Sequence, residues 1–234
     1  MRPPFSPRPF LGIARRPAGH QGELLNDLRA IEQFSARARF AKNETIFNEG
    51  DEVAHAYKIV SGVVRLCKHT QDGRRQIADF LLPETIFGII DRGEYGFSAE
   101  AVTDVVLVAY PRAQIDRLSA TTAGVADHIF AVLTEQYMTM QRHLVVLGCH
   151  SAKERVASFL LQLTDRSGTK AGERLDLPMA RQDIASHLGL TIETVCRAIS
   201  ELKKAGLITV PSLNQIAITD ARALRTLAEG RQGS

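Results

Sequence analysis

The sequence predicts an α+β protein in three parts: an N-terminal antiparallel β-roll, a long dimerisation helix and a C-terminal winged helix-turn-helix. Three observations carry that expectation. Arg39 to Tyr110 is a series of short β-type runs broken by turn signals. Gly124 to Leu147 keeps one helical period, and Ala180 to Leu207 reads as two helices joined by a tight turn, with two short β runs behind it. The boundaries fall at 1–22 for an N-terminal arm, 23–120 for the roll, 121–149 for the dimerisation helix and 150–234 for the winged helix.

Residues 1–22, MRPPFSPRPFLGIARRPAGHQG, hold four prolines in the first nine positions, and four arginines with no acid. Such a stretch disfavours a regular element and reads as a flexible basic arm. From Glu23 to Ala36, Leu24, Leu28, Ile31 and Phe34 recur at helical spacing and predict a short helix. The β character follows. Its turn signals are Asn48-Glu-Gly50-Asp51, Ser61-Gly62, Gln71-Asp-Gly73, Pro83-Glu84 and Gly93-Glu94. Between them stand strand formers such as Ile59, Val60, Val63, Val64 and Leu66, and later Val105 to Val108. Regular short strands with glycine-centred turns predict antiparallel sheets closed into a roll of jelly-roll type.

The next segment is a helix of about 24 residues from Gly124. A helix this long cannot bury its whole apolar stripe on a small roll. The excess predicts a second helix against it, hence a homodimer seam of Ile129, Val132, Leu133, Gln136, Met140, Leu144 and Leu147. Gly148 is expected to break the helix, and Ser151 to start another over Ala152–Leu163. Arg166 to Asp176 is polar and contains glycine, so it is expected to be a loop.

The winged helix carries the chemistry. Asp183, Ile184, Ala185 and Leu188 fall on its first helix, and Gly189 supplies the chain reversal. Thr191 suits an N-cap and Gly206 a C-terminal stop. Val195, Ile199 and Leu202 make one buried stripe, which leaves Glu193, Cys196, Arg197 and Ser200 on or near the opposite side. In a DNA major groove, Arg197 can donate two hydrogen bonds to guanine O6 and N7, and Glu193 can accept from cytosine N4. Arg181, Thr191, Ser200 and Lys203 are candidates for the DNA backbone. The competing explanation is an ordinary helical hairpin with a solvated Glu193/Arg197 pair. Leu207–Val210 and Ile216–Thr219 read as two wing strands, with Pro211–Gln215 as their turn and Ser212 and Asn214 near phosphate.

Composition narrows the classes. The chain has 234 residues, 44% of them hydrophobic and 24% charged, enough for one large or two small packed domains. It shows no apolar run that would span a bilayer and no apolar stretch of signal-peptide type. Three cysteines offer no even disulfide framework, which fits a reducing cytoplasm. The net charge of +3 hides +4 in residues 1–22, −4 in 23–151 and +3 in 152–234. A basic end beside an acidic middle suits a nucleic-acid partner.

Three stretches carry a family resemblance. ETVCRAISELKKAGLI resembles the helix-turn-helix of the CRP/FNR superfamily of bacterial transcription regulators, whose pattern is E-T-x-S-R. SAKERVASFLLQL, Ser151 to Leu163, is similar to the family's segment between dimer helix and DNA-binding domain. FSAEAV, Phe97 to Val102, is similar to the FNR and FixK branch. The resemblance covers about residues 35 to 220. It implies a cyclic-nucleotide-binding-like roll, with Gly50, Gly62, Gly73 and Gly88 as its turn glycines. It implies Glu193 and Arg197 as base readers, a TTGA-N6-TCAA-like palindrome, and half-sites about one helical turn, roughly 34 Å, apart. It further implies RNA polymerase as a partner, with the acidic turn residues Glu49, Asp51 and Glu52 as contact candidates.

The resemblance also says what the roll lacks. Members that bind cyclic AMP hold it with a Gly-Glu pair and an Arg-Ser pair; here Ile89 replaces the Glu and Phe97 the Arg. The oxygen-sensing branch builds an iron–sulfur cluster on N-terminal cysteines, and residues 1–66 contain none. No cofactor is expected, and the match is to FixK-like members competent for DNA without one. Cys196 departs from the family's Ser. It is either a small stand-in or a redox-sensitive thiol, since an early-helix position beside Arg197 favours thiolate. Oxidation there would set an anion against DNA phosphate. Cys67 and Cys149 read as structural.

A ligand-gated relative with an unfamiliar effector is the main alternative, and a binding module without a transcriptional role a more distant one. A metal-dependent cupin enzyme needs a His-x-His pair and a third His; the roll has only His55 and His69, so no enzyme and no metal are expected.

Overall fold

The computed structural model describes residues 20–69, 75–89, 91, 93–170 and 172–230. Most of the N-terminal arm and the turn at Gly73 lie outside them. The arm's last three residues already belong to α1 (His20–Leu28), which tightens into a 3-10 turn over Arg29–Phe34. Leu24 and Leu28 are fully buried, while Phe34 is exposed.

Eight strands make the roll: β1 (Ala36–Phe40), β2 (Thr45–Phe47), β3 (His55–Ser61), β4 (Val64–His69), β5 (Arg75–Leu81), β6 (Ile86–Phe87), β7 (Ser98–Ala101) and β8 (Val105–Pro111). They form two antiparallel sheets, in the orders β1-β8-β3-β6 and β2-β7-β4-β5. Phe47, Ile59, Val64, Phe87, Tyr95 and Leu107 meet between them. Gly62 is obligatory at its turn: its φ is +90°, and a Cβ there would meet the Asp104 carbonyl oxygen at 2.3 Å.

After α2 (Arg112–Thr121), α3 runs from Val125 to Cys149 without interruption. Gly148 does not break it. A glycine inside a helix costs only about 1 kcal/mol against alanine, and the buried Val146 keeps the last turn packed. The backbone turns extended at His150, and Ser151 then caps α4 (Ala152–Ser167) in a reciprocal capping box with Glu154. This helix extends past Leu163 because Leu163, Thr164 and Ser167 are buried along it.

The winged helix comprises β9 (Arg174–Asp176), α5 (Arg181–Leu188), α6 (Ile192–Lys204), β10 (Ile208–Ser212), β11 (Gln215–Ile218) and α7 (Ala221–Ala228). Part of the expected loop over Arg166–Asp176 is thus strand: β9 joins the wing as the third member of the sheet β10-β11-β9. Pro211 lies inside β10 rather than in the turn. It sits where the ladder shifts register on an edge strand, so no hydrogen bond is lost, and Leu213-Asn214 make the turn. One apolar cluster runs from Cys67, Ile77 and Phe80 of the roll into Leu160, Leu188 and Leu202 of the winged helix. Among the described residues no helix is long and apolar enough to cross a membrane.

Candidate DNA interface

Helix α6 is shaped from its ends inward. Thr191 caps it by accepting from the Thr194 backbone N–H at 3.2 Å, and Gly206, at φ +71°, follows its last turn. Val195, Ala198, Ile199 and Leu202 are buried, which turns Glu193, Cys196, Arg197, Ser200 and Lys203 to solvent. Glu193 is held below the usual carboxylate range because its own backbone N–H and the Thr191 hydroxyl donate to it. It is therefore an ionised acceptor in the first turn. Arg197 forms no ion pair among the described residues, so the solvated Glu193/Arg197 pair of an ordinary hairpin is not made. Donor and acceptor stand one turn apart on the exposed face.

The backbone candidates divide. Lys203 is exposed, and Lys204 beside it adds charge to the same end. Ser200 donates to the Cys196 carbonyl at 2.9 Å, and Thr191 is engaged as the cap. Arg181 is committed elsewhere: its Nη2 donates to the Leu213 carbonyl of the wing turn at 3.0 Å, and its Nη1 is sealed from solvent. Arg181 is a brace for the wing, not a free phosphate ligand. Cys196 and Cys149 are exposed, and Cys67 is fully buried.

The seam on α3 is corrected in part. Val132 is 0% exposed within the single chain and, with Ile129 beside it, packs on the α1 side of the roll. These two face inward because the helix serves two surfaces with one period. The exposed stripe contains Met140 and Leu144 together with Phe130 (69% exposed) and Tyr137 (61%), which the seam set omits. Leu133, Gln136 and Leu147 are half-buried. Phe130, Leu133, Tyr137, Met140, Leu144 and Leu147 alternate by three and four, the spacing of a coiled-coil seam.

The roll's interior is occupied by its own rings. Phe47 stacks on Tyr95 with centroids 3.7 Å apart, and Tyr57 on Phe87 at 5.4 Å. Ile89 is buried, Lys68 Nζ lies 5.3 Å from the Phe97 ring, and Ser98 Oγ accepts from the Glu49 backbone N–H at 2.9 Å. Glu49, Asp51 and Glu52 are all exposed; the Glu49 carboxylate pairs with Lys68, and the Asp51 carboxylate accepts from Asn48. Cys67, His69 and Glu100 converge with donor atoms within 4.8 Å of one another, which sequence spacing did not suggest. That trio is poorly set for a metal. Arg65 and Arg75 already share the Glu100 carboxylate, and burial pushes the Cys67 thiol up to about 12.

Sequence reasoning also missed how the winged helix is fastened to the roll. Asp183 and His187 lie one turn apart on the same side of α5 as Ile184 and Leu188, and all four are buried. A polar i,i+4 pair on an apolar helix face was the available signal. Its partners are on strands more than a hundred residues earlier.

Comparison with known proteins agrees with this geometry. Residues 37–122 match the cyclic nucleotide-binding domain family, and residues 154–227 the Crp-like helix-turn-helix domain family. The nitrogen fixation regulation protein FixK of Azorhizobium caulinodans is 42% identical over 202 residues, covering 85% of this chain and 82% of that protein. FixK of Rhizobium meliloti is 37% identical over 190 residues, covering 81% and 86%. The structure of FixK2 from Bradyrhizobium japonicum superposes with a TM-score of 0.79 at 33% identity, over 82% of this chain and 96% of that one. The chain thus belongs to the FixK-like branch of the CRP/FNR family, and it is a DNA-binding transcription regulator, not an enzyme.

Proposed function

We propose that this chain is a transcription activator that binds a TTGA-N6-TCAA-like palindrome as a homodimer, with RNA polymerase as its partner, in the cytoplasm. The observation that carries the reading is the pair of Glu193 and Arg197, exposed and unpaired with each other on a helix whose opposite face is buried. Arg197 donates to the guanine of each half-site, and Glu193 accepts from cytosine N4. Lys203 contributes phosphate contact. The second copy covers the heptad-spaced stripe on α3, where large apolar side chains are otherwise left in water. The working division is roll 23–120, seam helix 121–149 and DNA-binding part 150–234. By analogy with the named relatives, the regulated genes serve nitrogen fixation.

Activity without cyclic AMP is supported by the rings packed inside the roll, and activity without an iron–sulfur cluster by the lack of cysteine in residues 1–66. The position that would meet ribose is the buried Ile89, the one that would meet phosphate is Phe97, and Ser98 Oγ is engaged by backbone. Of the acidic turn residues proposed to meet polymerase, Glu52 is the one whose carboxylate makes no side-chain bond among the described residues, whereas Glu49 and Asp51 are engaged. Oxidation of Cys196 to an acid would add negative charge on the groove face and weaken binding.

Titration of reduced protein, with no added ligand, onto the palindrome and a scrambled duplex tests the reading. Tight binding confined to the palindrome is expected. Binding that appears only with cell extract would show a gating effector instead. Peroxide should lower affinity in the native protein and leave Cys196→Ser unchanged; equal losses in both would remove the redox role.

A further inference from the structure

Arg65 of β4 is 5% exposed. A guanidinium in the interior needs carboxylates, since an unpaired buried charge costs several kcal/mol. It has two. Its Nε and Nη2 lie 2.8 and 2.6 Å from Glu100 of β7, and its Nη1 lies 3.3 Å from Asp183 of α5. Arg75 of β5 bridges the same two groups: its Nη1 is 3.3 Å from Glu100, and its Nη2 donates to Asp183. Two cations and two anions thus close a neutral ring. Cys67 and His69 face its Glu100 side. Burial pushes the Glu100 pKa up, but Arg65 and Arg75 outweigh it and hold the carboxyl below its usual range.

Three members of the ring belong to the roll and one to the helix-turn-helix. Asp183 is in the first turn of α5, the helix immediately before α6. One turn further, His187 hydrogen-bonds the Ile77 carbonyl at 3.2 Å and stacks on His143 of α3. Arg166 of α4 brackets the Asp79 carboxylate at 2.7 and 3.3 Å. The covalent link between α3 and α4 is short, His150 and Ser151, and alone leaves the winged helix free to swing. A second attachment across the roll removes that freedom, because two separated points fix an orientation that one cannot.

We propose that Arg65, Arg75, Glu100 and Asp183 are positioning residues that set each recognition helix at the separation the palindrome demands, through fixed charges that tie α5 to the roll. The proposal rests on the dimeric, palindrome-reading function above. Each α6 is tied through α5 to its own roll, and the roll through α3 to the seam.

The test titrates full-length Arg75→Gln and Asp183→Asn, beside the native chain, onto three duplexes. They are the palindrome, the palindrome with its spacer lengthened by two base pairs, and a duplex with a single half-site. Lengthening turns the half-sites by about 70° about the DNA axis, so only a rigidly placed pair of helices discriminates against it. The native protein should prefer the correct spacer, and both variants should lose about tenfold of that preference while single half-site affinity stays within about twofold. A variant that keeps the native preference, or that loses affinity equally on all three duplexes, overturns the proposal. Arg75→Gln leaves Arg65 paired with both carboxylates and decides the matter if Asp183→Asn does not fold. A native protein that does not distinguish the palindrome from the single half-site overturns the dimeric reading itself, and the positioning role with it.

Discussion

Two sets of charged side chains in this molecule have opposite surroundings. Glu193 and Arg197 stand in water on α6 and are not paired with each other. Arg65, Arg75, Glu100 and Asp183 stand between roll and helix-turn-helix, with each carboxylate shared by both guanidiniums. An exposed charge costs little to leave unpaired, so its hydrogen-bonding capacity stays available to a partner from outside. A buried charge has no such latitude, and its capacity is used in fixing one element against another. On the proposed reading, changes in the first set alter what is read with little effect on the fold, and changes in the second alter where the reader stands.

The contrast breaks hardest at the apolar floor of the junction. Phe80 is 1% exposed and meets the rings of Phe159 and His187 edge-on. Phe80→Ala should cost about 3–5 kcal/mol of stability, read as a lower urea midpoint. Acid probes the same junction. Burial, and then the neighbouring His143, draw the His187 pKa down to about 4. In the unfolded chain it returns to about 6.5, so between these values the unfolded state alone binds the proton. Stability is then full above about pH 6.5 and falls towards pH 4, by up to roughly 3 kcal/mol. His187→Phe should flatten that window in denaturation curves; an unchanged acid profile would locate the sensitivity elsewhere.

On the exposed side the effects are smaller and should leave the fold intact. Arg197→Ala should cost about 1–3 kcal/mol of binding and relax discrimination at the guanine, with an unchanged melting curve. Equal losses on specific and random DNA would count against base reading. Lys203→Ala should weaken binding to every sequence alike and reduce the slope of log affinity against log salt by about one. An unaltered slope would take Lys203 off the phosphate backbone.

The same contrast explains what was legible in the sequence. Helix α6 was, because its signals are local: a cap at Thr191, a stripe three and four residues apart, and a glycine at the stop. The ring at Asp183 was not, because its bonded pairs are 25 to 118 residues apart and nothing in a one-dimensional pattern pairs them. The face of α3 was half legible. One period serves both the roll and the exposed stripe, so Val132 and Phe130 look alike until the fold separates them. Strand β9 was hidden by its brevity and its two charged residues, and Pro211 by an edge position that tolerates it. Of the proposed DNA-backbone set, only Arg181 turned inward, since its suitability as a donor says nothing of the wing carbonyl waiting beside it.

The ring stack inside the roll has a consequence for anyone wishing to command this regulator from outside. Phe47, Tyr57, Phe87 and Tyr95 stack on one another inside the roll, and such a stack can be thinned one ring at a time. Trimming Phe47 to alanine should leave a dry hollow on the order of 100 Å³, the scale at which small apolar molecules enter engineered cavities. Such a variant should be loosened when empty and firm when a benzene-sized guest is supplied, giving a gene switch whose key is chosen by the chemist.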